Sequence, residues 1–263
     1  MTPFIYEKRG KIAYMTLNRP EVHNAMNSEA WDGFIRAWTE VRDDPEVLVA
    51  IVTGAGRKAF CAGNDLVELF EWFSKPYEQR SDQPLGPVPE HNPLRGMENW
   101  KPVIAAINGV CTGTGLELAM ACDFRIAAET AKFALPEVRL GAIPANSGTQ
   151  RIIRLMPFGK GLEILMVGGS IDAQEAYRYG LVNKVVPLDD VMSEAQALAD
   201  RLCENAPLAV RAAKEVAYRG VEMSFDEALR LEVEIVRRLA MSEDGTEGFR
   251  AVIEKRKPVW KGK

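Results

Sequence analysis

The stretch from residue 103 to residue 151 constrains the fold more than any other part of the chain. It begins with an apolar run, Val103–Ile107, of the kind that forms a buried strand. A glycine-rich turn follows, and the apolar segment from Thr114 to Ala121 predicts a short helix. A helix that is apolar on all sides is normally buried. The sequence therefore predicts a strand, a turn and a helix inside the core.

Glu117 is the charged residue of this predicted helix. No Lys or Arg occurs between Gly109 and Asp123, so the local sequence offers it no cation. Burial without a partner is unfavourable for a carboxylate, and desolvation raises its pKa. A raised pKa suits a general acid or base near neutral pH. The alternative is a structural glutamate that accepts hydrogen bonds from the backbone.

The glycine-rich turn before the helix is a candidate anion-stabilising element. The unpaired N–H groups at a helix N-terminus favour an oxygen that becomes negative during a reaction. The turn does not match a dinucleotide fingerprint, because Leu118 occupies the third glycine position after Gly113 and Gly115. No Gly-Lys-Ser/Thr follows either, which excludes a phosphate-binding P-loop.

Composition excludes several classes of partner. The chain has 33 basic and 37 acidic residues, and this net charge of −4 argues against nucleic acid as the main partner. No long apolar run predicts a membrane span, and the N-terminal segment enters a strand pattern at once, without the features of a signal peptide. Four cysteines lack metal-ligand spacing, so we expect reduced cysteines, no metal site and a cytoplasmic protein.

The central stretch resembles the enoyl-CoA hydratase/isomerase family, also called the crotonase family. The resemblance extends from about Phe4 to the C-terminus. The motifs that carry it, in this order, are AING at 106–109, GTGLELAMACD at 113–123, FALPE at 133–137, LGAIP at 140–144 and GTQR at 148–151. It implies an α/β fold, a crotonase-type spiral of β-β-α units with a C-terminal helical region. We expect residues 1–200 to form the spiral core with the CoA and acyl site, and residues 201–263 to form a helical trimerisation region.

The resemblance also implies the site residues. Glu117 and Glu137 match the two catalytic glutamates of the hydratases, and hydration of an enoyl thioester involves two proton transfers. The backbone N–H groups of Asn64 and Thr114 match the oxyanion hole. The expected substrate- and CoA-binding residues are Ala62, Asn64, Asp65, Leu66, Gly113 and Thr114.

Four positions depart from the family pattern. Glu21 stands where the family often has a lysine, so one phosphate contact is not expected here. Thr114 replaces a glycine and adds bulk near the thioester. Asn146 and Ser147 interrupt a run that is usually glycine-rich, so they are candidates for holding a polar group in the acyl pocket.

The segment from residue 67 to residue 101 shows neither helical nor strand periodicity. It is rich in aromatic residues and prolines, including Pro84 and Pro87. We expect it to form a lid or wall over the substrate, with Phe70 and Phe73 at the acyl pocket. A surface loop whose aromatic residues merely pack is the alternative.

The flanking segments predict mostly regular structure. Residues 4–17 are typical of a hairpin, and residues 28–43 predict a helix with an apolar stripe. Further helices are expected at 158–167, 172–180, 188–204, 207–218, 225–241 and 246–255. The resemblance implies that the basic end at 254–257 lies near the CoA nucleotide; a solvated basic tail is the alternative.

The predicted activity is that of an enoyl-CoA hydratase, or of the reverse dehydratase, acting on the C2–C3 bond of an acyl-CoA thioester through an enolate. A double-bond isomerase is the nearest alternative, and a CoA-ester-binding protein without turnover is a more distant one. The chemistry needs no cofactor, since coenzyme A is part of the substrate. The expected partners are an acyl-CoA thioester and further copies of the chain, in a homotrimer or a dimer of trimers.

Overall fold

A computed structural model describes residues 2–80, 86 and 88–263 of the chain. Pro84 and Pro87, which belong to the predicted lid, lie outside the described residues.

Strands of the described chain form two sheets. The six-stranded sheet has the order β1-β2-β3-β5-β7-β10, and the four-stranded sheet has the order β4-β6-β8-β9. The strands are β1 Phe4–Arg9, β2 Ile12–Leu17, β3 Val49–Gly54, β4 Ala59–Cys61, β5 Val103–Ile107, β6 Val110–Thr112, β7 Phe124–Ala128, β8 Lys132–Ala134, β9 Ser170–Asp172 and β10 Lys184–Val186.

Helices surround both sheets. They are α1 Ser28–Asp43, α2 Leu66–Phe73, α3 Thr114–Ala121, α4 Gly148–Leu155, α5 Phe158–Val167, α6 Ala173–Arg178, α7 Val191–Cys203, α8 Pro207–Gly220, α9 Phe225–Ala240 and α10 Glu247–Ile253. Within the described ranges, no helix has both the length and the apolar character needed to cross a bilayer.

The chain repeats a unit of two strands and a helix. The first strands of successive units, β3, β5 and β7, pair in parallel in the large sheet. The second strands, β4, β6 and β8, pair in parallel in the small sheet. The helices that follow these pairs are α2, α3 and α4. Each unit is thereby stacked on the previous one, so loops at equivalent positions of consecutive units become neighbours.

The core lies on both faces of the large sheet. One face packs against α1, where Trp31, Phe34 and Trp38 are buried at helical spacing, as the sequence predicts. The other face packs against α7 through small residues, including Ala195 and Ala199. Each large buried apolar side chain stabilises the fold by roughly 1.5–3 kcal/mol. Helix α3 packs against β4, β6 and α4, and its residues from Thr114 to Met120 are all buried.

A half-buried polar cluster connects helix α8 to the spiral core. Lys214 Nζ donates to Asp123 Oδ2 at 2.8 Å and to the Lys101 carbonyl at 2.9 Å. The Tyr218 hydroxyl donates to Asp123 Oδ1 at 3.1 Å. Asp123 follows α3 directly, so this cluster ties the C-terminal helices to the element that carries Glu117.

Two sequence predictions about secondary structure were wrong. The segment after Asp65 was expected to lack periodicity, but it begins with α2, whose N-terminus is capped by the Asp65 side chain bonded to Val67 N at 3.0 Å. Helix α4, which begins at Gly148, was not predicted at all. The hairpin of β1 and β2 and the helices α1, α3 and α5 were predicted correctly.

Candidate active site

The loop after β4 and the start of α3 approach each other very closely. A Cβ at Gly115 would lie 2.2 Å from the carbonyl oxygen of Cys61, so only glycine fits at this crossing. The Asn64 side chain accepts a hydrogen bond from Trp31 Nε1 at 3.0 Å. The main-chain N–H groups of Asn64 and Thr114 have no acceptor among the described residues. Both therefore remain available to a ligand oxygen.

Glu117 lies one turn into α3 and is only 1% exposed. Its Oε1 accepts hydrogen bonds from Asn146 N at 2.7 Å and from Gly148 N at 2.9 Å. A Cβ at Gly148 would lie 2.8 Å from the same oxygen, so glycine allows this approach of the backbone. Glu117 is therefore buried, as the sequence predicts, and it also accepts hydrogen bonds from the backbone.

The surroundings of Glu117 act on its pKa in opposite directions. Burial raises the pKa above the ordinary value for a glutamate. Hydrogen bonds from the backbone of Gly148 and Asn146, and the nearby polar side chains of Thr114 and Asn146, favour the charged form and oppose the rise. Thr114 thus favours the charged form of Glu117 in addition to adding bulk to the site.

Glu137 begins a short 3-10 helix, Glu137–Leu140, that follows β8. Its Oε2 is buried and has no hydrogen-bond partner among the described residues. Burial raises the pKa of Glu137 to about 7, and the nearby charge of Glu117 contributes to the rise. A carboxyl group in this condition exchanges a proton readily near neutral pH.

A cavity of about 230 Å³ brings these groups together. Glu117, Glu137, Asn64 and Thr114 all line it. Its other walls are mostly apolar or small residues: Ala62, Gly63, Leu66, Leu69, Phe73, Val88, Gly113, Pro136, Leu140, Ala142, Ile143, Ala145 and Asn146. The arrangement places two carboxyl groups and two unpaired N–H groups around one largely apolar space.

A second, more open cavity of about 560 Å³ adjoins the first. The two cavities share Ala62, Asn64 and Leu66. The second one is also lined by Arg19 and Asp65, whose side chains form an ion pair at 2.8 Å. The shared residues place the two cavities side by side, and together they are called the groove below.

Two residues predicted for the acyl pocket, Phe70 and Ser147, line neither cavity. Phe70 is 73% exposed and lines neither cavity, because it lies on the outer side of α2. Ser147 has φ = 75°, and its hydroxyl accepts a hydrogen bond from Arg151 Nε at 2.8 Å. Phe73 and Asn146, the other two candidates, line the first cavity.

Several lining residues were not predicted from the sequence. Leu69, Val88, Leu140 and Ile143 form apolar wall, and Arg19 reaches the second cavity. They lie on several separate segments of the chain, which the local sequence does not mark as facing one cavity. The basic C-terminal end lines neither cavity: Arg256 instead pairs with Glu247 and Glu254. Within the described part of the chain, no cluster of His, Cys, Asp and Glu is arranged to hold a metal ion.

The family model for enoyl-CoA hydratase/isomerase matches residues 7–263. The chain belongs to the enoyl-CoA hydratase/isomerase family. It is 42% identical over 254 residues to a short-chain-enoyl-CoA hydratase of Clostridium acetobutylicum, an alignment that covers 96% of this chain and 95% of the relative. It is 38% identical over 263 residues to an (E)-benzylidenesuccinyl-CoA hydratase of Thauera aromatica, with 99% of both chains covered.

Solved structures of the enoyl-CoA hydratase/isomerase family share the fold. A crystal structure of an enoyl-CoA hydratase from Mycobacterium tuberculosis H37Rv superposes with a TM-score of 0.90 at 31% identity, with 100% of both chains covered. The crotonase-type α/β fold expected from the sequence is therefore confirmed.

Proposed function

We propose that this family member is an enoyl-CoA hydratase that adds water across the C2–C3 double bond of an acyl-CoA thioester. The observation that carries the proposal is the single cavity lined by Glu117, Glu137 and the unpaired N–H groups of Asn64 and Thr114. The activity named for the relatives from Clostridium and Thauera supports the same reaction.

The hydrogen-bond environments suggest different roles for the two glutamates. Two backbone N–H donors and two side chains favour a charged Glu117, so this residue is the proposed base that takes a proton from water. Glu137 has a buried oxygen without a donor, and burial raises its pKa to about 7. Glu137 is therefore the proposed acid that protonates C2.

The proposed steps balance without any oxidation or reduction. The water oxygen bonds to C3 while its proton moves to Glu117, and the electrons of the double bond move toward the thioester oxygen. The N–H groups of Asn64 and Thr114 stabilise the enolate oxygen formed in this way. Glu137 then transfers its proton to C2, and a proton returned from Glu117 to Glu137 restores the enzyme. This reaction requires no cofactor beyond the coenzyme A of the substrate.

The groove suggests how the thioester lies. We place the acyl group in the first cavity, among Leu69, Phe73 and Ile143, and the coenzyme A portion along the second cavity, beside Arg19 and Asp65. Asn146 is already bonded to other protein groups, and Ser147 is turned away. The structure thus gives no support to the expectation that these two side chains bind a polar acyl substituent.

The proposed assembly is a homotrimer or a dimer of trimers. It is supported by apolar side chains of the C-terminal helices that remain exposed in the single chain: Phe225, Leu229, Val233, Val236, Phe249, Val252 and Ile253. Light scattering coupled to size-exclusion chromatography measures the mass of the particle, and a monomer would contradict this part of the proposal. Four unpaired cysteines support the proposed cytoplasmic location.

Loss of the enoyl-thioester absorbance with crotonyl-CoA tests the function. We expect rapid loss with the wild type and none with Glu117→Gln or Glu137→Gln. A shift of the double bond without addition of water, retained in one of the two variants, would instead indicate an isomerase. Binding of the thioester without turnover across a panel of acyl-CoA esters would indicate a non-catalytic protein.

A further inference from the structure

We propose that Asn92 and Asn146 act as positioning residues that hold the carboxylate of Glu117 through a relay of hydrogen bonds. The inference rests on the proposed role of Glu117 as the base. Neither asparagine is required to touch the reacting atoms.

Asn146 is the inner member of this asparagine relay. It is 3% exposed, and its main-chain N–H donates to Glu117 Oε1 at 2.7 Å. Its side-chain amide also favours the charged form of the Glu117 carboxyl. Movement of Asn146 would therefore change both the place and the charge of the carboxylate.

Asn92 is the outer member and is completely buried. Its Oδ1 accepts from Leu94 N at 2.9 Å, and its Nδ2 donates to the Pro89 carbonyl at 2.7 Å and to Asn146 Oδ1 at 3.2 Å. The bond from Leu94 fixes which end of the Asn92 amide is the oxygen, because a main-chain N–H is only a donor. The Asn92 amide must then present its NH₂ group to Asn146.

The same logic fixes the direction of the second amide. Asn146 presents its oxygen to Asn92, so its own NH₂ group is free to donate to Glu117. Reversing either amide would place two donors or two acceptors against each other in a buried site, which is unfavourable. Asn92 thus determines which end of the Asn146 amide faces the proposed catalytic base, Glu117.

Two substitutions break the relay in different ways. Asn146→Ala removes the side-chain donor to Glu117. Asn92→Asp keeps an acceptor for Leu94 N but presents an oxygen to Asn146, so the Asn146 amide must turn its oxygen toward Glu117. We expect each to lower kcat by about tenfold or more, the effect of one bond to a charged group, with a smaller change in KM. The acid limb of the kcat profile should move to higher pH.

The double variant tests whether the two residues act as one relay. In Asn146→Ala, the side-chain amide that Asn92 orients is absent. The double variant should therefore be no slower than Asn146→Ala, and additive losses would contradict the relay. Asn99→Ala is the matched control, since Asn99 is also buried in this connection and accepts from Lys101 N at 3.0 Å without contacting Glu117.

A direct measurement separates failure of the relay from failure of the proposed function. In protein with ¹³C-labelled glutamate, the carboxyl signal that disappears in Glu117→Gln reports the pKa of Glu117. That pKa should rise in both relay variants and stay unchanged in Asn99→Ala, whether or not any thioester is hydrated. An unchanged pKa in both variants would overturn the relay, even if the wild type is an active hydratase. A shifted pKa in a protein that hydrates nothing would support the relay and refute the function.

Discussion

Glu117 and Glu137 line the same cavity, but their carboxyl groups have opposite hydrogen-bonding environments. Glu117 Oε1 accepts two main-chain N–H groups, whereas Glu137 Oε2 is buried with no hydrogen-bond partner in the described part of the protein. Donors favour a charged carboxylate, and burial without donors favours a protonated one. Main-chain hydrogen bonds thus give two glutamates in one cavity different preferences for the charged form.

The pH dependence of hydration should reflect this difference. Because the proposed acid must be protonated, kcat/KM should fall as the pH rises through about 7, the pKa of Glu137. On the acid side, kcat/KM should fall as the pH drops through the pKa of Glu117, because the base must be charged. Initial rates across the pH range test both limbs. A profile that is still rising well above neutral pH would contradict the assignment of Glu137 as the acid.

Glu137 should also lower the stability of the folded chain at neutral and alkaline pH. Its pKa is about 7 in the fold and near 4.5 when exposed, so the folded state binds more protons between these values. Stability contributed by the protonated form is therefore lost as the pH rises through this window. We expect Glu137→Gln to raise the free energy of unfolding at pH 8 by about 1–2 kcal/mol, after allowing for partial exposure.

Urea unfolding of the wild type and Glu137→Gln at several pH values measures this difference. It should shrink toward zero as the pH falls below the ordinary pKa of a glutamate. An equal difference at every pH would show that the gain comes from packing and not from ionisation.

Gly148→Ala should displace Glu117. A Cβ at this position would lie 2.8 Å from Glu117 Oε1 and 2.7 Å from Pro144 Cβ, so one of them must move. A displacement of about 1 Å at a catalytic group can lower the rate roughly 100-fold. Hydration kinetics measure the loss. Gly159→Ala is the control, because a Cβ there meets nothing within 4 Å, and equal rates for the two variants would refute this reading.

Asp65→Ala should weaken substrate binding more than turnover. Asp65 caps α2 through Val67 N and pairs with Arg19, and α2 carries Phe73 on the wall of the first cavity. Loss of a helix cap removes about 1 kcal/mol, so we expect KM to rise by roughly fivefold. Steady-state kinetics separate KM from kcat.

Asp189→Ala is the control for Asp65→Ala, because Asp189 also pairs with an arginine, Arg57, but on the exposed surface. Asp189→Ala removes a carboxylate that lines neither the first nor the second cavity, and exposed pairs contribute little to stability. KM should stay unchanged in this variant. A rise in KM of similar size in both variants would mean that a general loss of charge, and not the position of α2, is responsible.

The local sequence by itself determined the buried strand, turn and helix α3 and the burial of Glu117, whereas the family motifs indicated the fold and Glu137. These features depend on local patterns: an apolar run, a glycine-rich turn, and one charge in an apolar helix. Such patterns can be recognised in the sequence because residues close in the chain are also close in the helix or strand that they form. The apolar surroundings of Glu117 in the sequence predict that it is buried, and the structure shows it 1% exposed.

Only the tertiary structure decided how the two glutamates differ and which side chains line the cavity. The donors to Glu117 come from residues 146 and 148, which lie about thirty positions along the chain, and Asn92 reaches Asn146 from a separate connection. Phe70 and Phe73 are nearly adjacent in sequence, yet only Phe73 lines the cavity. Contacts between distant segments depend on how successive units stack, and hydrogen-bond direction and desolvation, which set each pKa, follow from that stacking.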